Sequence, residues 1–237
     1  MLACDHASNR IPNSLDGLGL NGVGLEDHIA WDVGAGAITR LLSERLQASA
    51  VLGGYSRLVI DLNRDLQDPT VFPKISDCVL VPANLGLSDA DRAERARIFF
   101  DPYHEELRRV IAERTTTEQT PVMICMHSFT PYWHGVLRPW QVGILWDKDP
   151  RLAVPLLAAL REPGDIIVGD NQPYSGHHPE DFTVDYHAEQ LGLAYCAMEI
   201  RQDLIEDESG QQRWADRLAE ILEAVLRDER LYRPLAG

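Results

Sequence analysis

The chain has 237 residues, 45% of them hydrophobic and 25% charged, a composition typical of a soluble globular domain large enough to bury a core. Its net charge of −15 argues against nucleic acid as a partner, because phosphates need a basic surface, but a local arginine cluster can still hold a small anionic substrate. No apolar run approaches the ~20 residues of a membrane helix, and the first residues, MLACDHAS, lack the features of a signal peptide, which together predict a cytoplasmic protein.

The first half of the chain combines short apolar runs with two stretches of helical periodicity. The apolar runs predict strands at residues 1–4, 50–52 and 57–61. The 3.6-residue period predicts helices at 26–47 and 88–114, the second of them with Ser88 as its N-cap. Residues 63–87 between them form a long, irregular segment with three prolines, which is typical of a functional or lid-like loop.

The second half predicts strands that alternate with helices. The strands are expected at 122–126, 141–146, 165–169 and 195–200, and the helices at 150–160, 184–191 and 210–227. We see neither an internal repeat nor a linker. The pattern predicts a single α/β domain over residues 1–237, with a mixed, mostly parallel sheet covered by helices on both faces.

Polar residues with reactive side chains follow five of the predicted strands. They lie in the stretches DHASN, DLNRD, MHSF, DNQPYSGHH and EIRQD. Ligands bind at the carboxyl ends of the strands in open α/β sheets. One histidine at such a point, for example His127, is also typical of a simple hydrogen-bonded cap. The repetition of His, Arg and Asn in several loops favours a site.

Together these stretches resemble the N-formylglutamate amidohydrolase family. The matching segments, which cover nearly the whole chain, are CDHASNRIP, HIAWDVGAGA, SRLVIDLNRD, MHSFTP, NQPYSG and FTVDYHAEQLGLAYCAMEIRQDL. The resemblance implies a zinc-containing α/β fold of the phosphorylase/hydrolase-like kind, similar to the zinc carboxypeptidases and the aspartoacylase group. It also implies hydrolysis of the amide of an N-acyl amino acid.

Two histidines after apolar strands, His6 and His127, are the predicted zinc ligands. A catalytic zinc needs three protein ligands and one open position. In the related carboxypeptidases a Glu ligand follows the first His by three residues, but here that position is Asn9, a poor ligand. We predict Asp32 as the third ligand, although it also suits a helix start, and Asn9 or Asp5 are the alternatives. The same set of ligands also suits iron, cobalt or nickel.

A second group of residues surrounds the run DLNRD. Arg57, Asn63 and Arg64 are predicted to bind the carboxylate of the substrate, since a guanidinium offers a fixed fork of donors, and Arg64 can also face a developing oxyanion. The Asn-Arg pair resembles the carboxylate clamp of the carboxypeptidase group. Asp61 and Asp65 flank the pair and offer the alternative that both arginines form structural salt bridges.

Glu199 directly follows the apolar run 195–198 and is the predicted general base. A buried carboxylate needs a partner, and Arg201 offers the alternative of a salt bridge on the same face of the strand. Arg201 is otherwise predicted to contact the substrate. The resemblance makes His187, in a predicted helix, a candidate proton shuttle.

The remaining pocket predictions concern Ser128 beside His127, and Asn171 and Tyr174 in the loop after the strand at 165–169. These three residues are expected to line the substrate pocket. His177 and His178 are expected to be exposed.

The function predicted from the resemblance is zinc-dependent hydrolysis of a small anionic N-acyl amino acid, with N-formylglutamate as the namesake. An amidase or peptidase acting on longer N-acyl peptides is one alternative. The segment at 63–87 discriminates between them, because a lid over the site favours small substrates. A non-catalytic binding module is the other alternative, because Asn9 leaves the metal site open to question. The oligomeric state is left open.

Overall fold

The computed structural model describes residues 1–20, 22, 24–116, 118–177 and 181–235, so the expected exposure of His178 lies outside the described residues. The strands are β1 (Leu2–Cys4), β2 (Ala50–Leu52), β3 (Ile75–Ser76), β4 (Val79–Leu80), β5 (Met123–Phe129), β6 (Tyr132–Trp133), β7 (Val136–Leu137), β8 (Val142–Leu145), β9 (Val168–Asp170) and β10 (Tyr195–Arg201). The α-helices are α1 (Ala35–Leu46), α2 (Asp89–Arg95), α3 (Asp101–Arg114), α4 (Pro150–Arg161), α5 (Phe182–His187) and α6 (Glu208–Val225).

Six of the strands form one sheet in the order β2-β1-β5-β10-β8-β9. Strands β2, β1, β5 and β10 are parallel, β8 is antiparallel to β10, and β9 is parallel to β8. The predicted mixed, mostly parallel α/β sheet is therefore confirmed. Strands β3 and β4 form a separate hairpin, and so do β6 and β7.

Each face of the sheet packs against its own hydrophobic cluster. One cluster contains residues of α1, α4 and α6, and the other contains residues of α3 and α5. Strand β5 alternates between them: Ile124 and Met126 belong to the first cluster, Met123 and Cys125 to the second. The same alternation directs His127 to the face of α3 and α5. Among the described helices, none has the length and apolar character needed to cross a membrane.

The helix expected at 26–47 begins only at Ala35, so the first part of that prediction is wrong. The backbone of Asp32 donates to the carbonyl of His6 at 2.9 Å, which ties this segment across the end of β1. Gly34 then adopts φ +79°, and a Cβ there would lie 2.2 Å from the carbonyl oxygen of Ile205. Only glycine allows this left-handed, close-packed entry into α1. The turn before it carries Asp32.

The strand expected at 57–61 is also wrong, because residues 57–59 form a turn and residues 60–61 belong to no strand. The Ser56 hydroxyl accepts from the backbone of Leu58, and the Ser56 carbonyl accepts from Val59. Such bonds favour turns over strand pairing. Leu58, Val59 and Ile60 are buried in the cluster of α3. Their apolar character therefore indicates that they are buried, but it does not indicate that they belong to the sheet.

Other predictions differ only in their boundaries. Strands β5 and β10 pair in register up to Phe129 and Arg201, so His127 lies within a strand rather than after it. The helix expected at 88–114 begins with the predicted Ser88 cap, reinforced by a reciprocal bond with Asp91, and is interrupted by a π-helical turn between α2 and α3. The segment at 63–87 is irregular apart from the hairpin β3–β4 and a short 3₁₀ helix at Pro82–Asn84.

Candidate active site and metal centre

A cleft of about 520 Å³ lies at the carboxyl ends of β1, β5 and β10. Its floor consists of buried titratable residues: His6, Asp32, Asp61, His127, Asp181 and Glu199. Its rim consists of the exposed apolar or aromatic residues Ile75, Trp133 and Tyr174. A cleft of this volume suits a small ligand.

Two histidines and one carboxylate meet in the floor. His6 follows β1, His127 lies in β5, and Asp32 lies in the turn before α1. Asp32 Oδ2 is 3.4 Å from His6 Nδ1 and 2.8 Å from His127 Nδ1, and ligand atoms of the three residues lie within 4.8 Å of one another. A tetrahedral zinc with bonds of ~2.0–2.1 Å separates its ligand atoms by about 3.3 Å. The three side chains can therefore hold one metal ion.

The outer nitrogens of both histidines face further carboxylates. His6 Nε2 is 2.7 Å from Asp61 Oδ1, and His127 Nε2 is 3.4 Å from Asp5 Oδ2. A carboxylate at the outer nitrogen attracts the N–H there and leaves the Nδ1 lone pair directed inward, as in the outer shell of many zinc sites. In that neutral tautomer the two lone pairs and the Asp32 carboxylate repel one another unless a proton or a metal cation lies between them. This donor set fits a divalent metal ion.

The charges in the floor favour a cation in the same place. Burial lowers the pKa of His127, but the hydrogen bond to Asp32 and the charges of Asp32, Glu199 and Asp5 outweigh it and raise this pKa to about 10. Burial likewise opposes ionisation of Asp32, yet the two histidines hold its pKa well below the usual range. Arg57 and His6 overcome burial in the same way at Asp61 and lower its pKa.

Glu199 lies beside the histidines and has a different environment. It pairs in register with His127 on the neighbouring parallel strand, so both side chains leave the same face of the sheet. Burial, together with the charges of Asp32 and Asp181, raises the pKa of Glu199 to about 8 against the opposing charge of His127. Within the described ranges, Glu199 Oε2 is buried and accepts or donates no hydrogen bond. Such a carboxyl is suited to exchanging a proton with a ligand in the cleft.

The two arginines that line the cleft differ in their partners. Arg57 Nε and Nη2 donate to Asp61 Oδ2 at 3.1 and 2.7 Å, and Nη1 is 3.6 Å from Asp32 Oδ1. Arg57 thus holds two carboxylates of the floor. Arg64 lines the cleft as well, with Nη1 3.4 Å from the Asn63 carbonyl. The side-chain oxygen of Asn63 accepts from the backbone of Thr183 at 2.8 Å, which fixes the orientation of this amide group at the edge of the cleft.

Comparison with known proteins identifies the family of the chain. The family model described as N-formylglutamate amidohydrolase matches residues 1–206. The chain belongs to the N-formylglutamate amidohydrolase family. A structure of a gene product from Agrobacterium tumefaciens is 38% identical, with a TM-score of 0.92, and the match covers 97% of this chain and 91% of that one.

A second solved structure has the same fold as this chain. It is the N-formylglutamate amidohydrolase from Ralstonia eutropha, which is 18% identical with a TM-score of 0.71, and the match covers 97% of this chain and 94% of that one. No curated protein matches the sequence. Membership of the family makes the protein an amidohydrolase.

The other side chains predicted from the family resemblance lie in different places. Ser128 and Tyr174 line the cleft; the Ser128 hydroxyl donates to the Val33 carbonyl at 2.8 Å. Asn171 is not a lining residue, and its side-chain oxygen accepts from the backbones of Trp146 and Gly176.

Three further candidate residues, Arg201, His187 and Asn9, also lie away from the lining of the cleft. Arg201 donates from Nε and Nη2 to Asp203, so the alternative pairing with Glu199 does not form. His187 is buried on α5, with Nε2 2.8 Å from His104 Nδ1. Asn9 donates to the Leu25 carbonyl and is not a lining residue either. The grouping of Asp32 with both histidines instead favours Asp32 among the three ligand candidates.

Several residues of the site had no clear signal in the sequence. Asp5 faces His127 because residues 5 and 6 form a turn, whereas an extended chain would direct them to opposite sides. Asp181 lies in the floor and also caps α5 by accepting from Val184, so in sequence it has the character of an ordinary N-cap. Asp61 contacts both His6 and Arg57. The sequence indicated only its pairing with an arginine, because His6 is distant in the chain.

Proposed function

We propose that the protein is a zinc-dependent amidohydrolase that cleaves the amide of a small N-acyl amino acid. One observation carries the proposal: His6 Nδ1, His127 Nδ1 and the Asp32 carboxylate converge in the floor of the cleft, directly beside Glu199. These three residues would hold a divalent ion, which would supply the Lewis acidity needed to polarise an acyl carbonyl and to make water more acidic.

Glu199 is the proposed general base. Its carboxylate takes a proton from the attacking water as the oxygen bonds to the acyl carbon. The same carboxyl then gives this proton to the amine nitrogen as the carbon–nitrogen bond breaks, so one proton is taken up and returned. Burial supports this role, because it brings the pKa of Glu199 toward neutrality, to about 8.

The remaining polar residues are proposed to position the reactants. Asp61 and Asp5 orient the two histidines through their outer nitrogens, and Arg57 holds Asp61 in turn. Arg64 and the amide nitrogen of Asn63 are proposed to bind the substrate carboxylate. Arg57 Nη1, which is close to Asp32, is proposed to face the oxyanion that develops on the acyl oxygen.

A small substrate is supported by the segment at 63–87. Thr70, Pro73, Ile75, Ser76 and Asp77 all line the cleft, and Asp77 forms an ion pair with His28 at 3.2 Å. The segment therefore encloses one side of the site, which favours a single N-acyl amino acid over a longer peptide. A cytoplasmic location stays a prediction.

The direct test is elemental analysis of the purified protein, followed by a screen of formyl- and acetyl-amino acids with and without added zinc. We expect about one metal ion per chain and release of free amine that a chelator abolishes and zinc restores. The Glu199→Gln variant is the matched control, because it keeps shape and metal ligands but removes the base. Release of no amine by the metal-loaded protein from any of these compounds would contradict the proposal.

A further inference from the structure

The rim of the cleft is apolar where the floor is charged. Trp133 and Ile75 line the cleft, yet their exposed fractions are 44% and 62%. They lie on the two separate hairpins, β6–β7 and β3–β4. Exposed residues of this size that line a ligand cleft are surfaces on which an apolar group of the ligand can pack.

A buried arginine fixes the aromatic part of the rim. The Arg138 guanidinium lies over three rings, 5.0 Å from Trp133, 4.9 Å from Tyr174 and 5.8 Å from Phe129. Arg138 Nη1 also donates to the Tyr174 hydroxyl at 3.0 Å. Such stacking holds the hairpin β6–β7 against the loop that carries Tyr174. The rings are therefore in place before a ligand binds, which lowers the entropic cost of binding.

The charges that line the cleft are mixed. Among the described residues, five acidic side chains (Asp32, Asp61, Asp77, Asp181 and Glu199) lie beside two arginines and three histidines. A zinc ion in the floor would add two further positive charges. The charges alone therefore do not select one class of substrate, which leaves the selectivity of the cleft to its apolar rim.

We propose that Trp133 and Ile75 are specificity-determining residues that bind an apolar group of the substrate. The preferred substrates are then N-acyl amino acids with an apolar side chain or acyl chain, ahead of compounds such as N-formylglutamate that have no apolar group of this size. The inference rests on the proposed function, because it assigns a substrate class to the same cleft.

Two pairs of compounds separate the possible sources of the apolar group. N-formylleucine against N-formylglutamate tests the side chain, and N-hexanoylglycine against N-formylglycine tests the acyl chain. Where the apolar group of a compound binds the rim, we expect the kcat/KM of the zinc-loaded protein to be higher for that compound than for its partner by about 10-fold or more. This is the usual effect of burying a few methylene groups. The absence of a preference for the apolar compound in both pairs would overturn the proposal.

Matched variants connect this preference with the rim. Trp133→Ala and Ile75→Ser should each lower the preference several-fold, while their hairpin neighbours Tyr132→Ala and Leu80→Ser, which do not line the cleft, should leave it unchanged. The two test residues belong to different hairpins, so a folding defect in one variant leaves the other informative. An unchanged preference in both test variants, or an equal loss in the controls, would contradict the assignment.

Binding measurements keep this test separate from the test of catalysis. The zinc-loaded Glu199→Gln variant should bind N-formylleucine or N-hexanoylglycine about 10-fold more tightly than its partner compound in calorimetry. One outcome is that the wild-type protein hydrolyses none of the compounds, while the difference in affinity is present and Trp133→Ala removes it. In that case the proposed function is wrong and the apolar subsite is supported. If amide hydrolysis occurs but neither difference appears, only the subsite is wrong.

Discussion

The floor and the rim of the cleft are built in opposite ways. The floor residues are buried, charged, and held by strand ends and by one another, as in the chain from Arg57 through Asp61 to His6. The rim residues are exposed and lie on short hairpins or loops, and Arg138 packs against the rings of Trp133 and Tyr174. This difference indicates a division of labour: the floor sets the chemistry, and the rim sets the choice of substrate. Changes in the floor should therefore affect metal content and turnover, whereas changes in the rim should affect selectivity.

The largest effect is expected when the floor loses both histidines. The double variant His6→Ala, His127→Ala removes two of three proposed ligands and should bind no zinc, because Asp32 alone is a weak site. Elemental analysis should show a fall from about one zinc per chain to none. His177→Ala is the control, since His177 is exposed and pairs with Asp147. Full metal content in the double variant would show that the metal assignment is wrong.

The next largest effect concerns turnover alone. Glu199→Gln should retain fold and zinc but lose roughly 10²–10⁴-fold in kcat, the usual contribution of a general base. Steady-state kinetics on the zinc-loaded variant measures this loss, and circular dichroism checks the fold. Near-normal turnover would remove Glu199 from the mechanism.

A smaller effect should separate the two arginines. Arg64→Lys keeps the charge but loses the fork, so kcat/KM should fall about 10- to 100-fold with little change in melting temperature. Arg57→Lys, in contrast, should also lower the free energy of unfolding by roughly 1–3 kcal/mol, because it disrupts the contacts to Asp61. If Arg64→Lys destabilises the protein and leaves activity per folded molecule normal, then Arg64 serves a structural salt bridge instead.

The smallest effect should appear as a pH dependence of stability. His104 and His187 are buried together next to the floor; burial lowers the pKa of His104 to about 4 and of His187 to about 3, with Asp5 opposing and Arg108 adding to the shift in both. The unfolded chain therefore binds more protons below pH 6.5, and stability should fall as the pH falls. Between about pH 7.5 and about pH 5, the loss should be about 2 kcal/mol for each histidine.

Urea denaturation at both pH values measures this dependence. His187→Gln should show a pH-dependent loss smaller by about one histidine's share than that of the wild type, measured under identical conditions, which cancels the other titrating groups. An equal loss in both proteins would show that His187 is not held neutral in the folded state.

Much of the floor was predictable because strand ends are marked by a change from apolar to polar residues. His6, His127 and Glu199 all follow or end apolar runs, and parallel pairing then brings them to one edge. Asp32 was predicted as a ligand, but the helix expected over residues 26–47 placed it within a helix instead of in the turn before one. Its position depends on Gly34 fitting against Ile205, a contact between distant parts of the chain that periodicity does not report.

The rim was less predictable, although one signal was present. The dipeptides Tyr132–Trp133 and Val136–Leu137 are separated by His134 and Gly135, which adopt φ +48° and +79°. Two central residues with positive φ, the second a glycine, are the mark of a tight two-residue hairpin. Ile75 had no comparable signal, because its hairpin lies within a proline-rich irregular stretch.

The direction of β8 has a consequence for how this protein can diversify. Since β8 runs antiparallel to β10, and β10 is parallel to β5, the chain leaves β5 and enters β8 at the same edge of the sheet. The connection between them, with Trp133 and Arg138, never crosses to the far side, unlike the helical crossovers elsewhere. A longer, shorter or exchanged hairpin at this point would leave the register of both strands intact. Substrate preference can thus be changed here, in evolution or by engineering, through replacement of this loop without displacement of the floor residues.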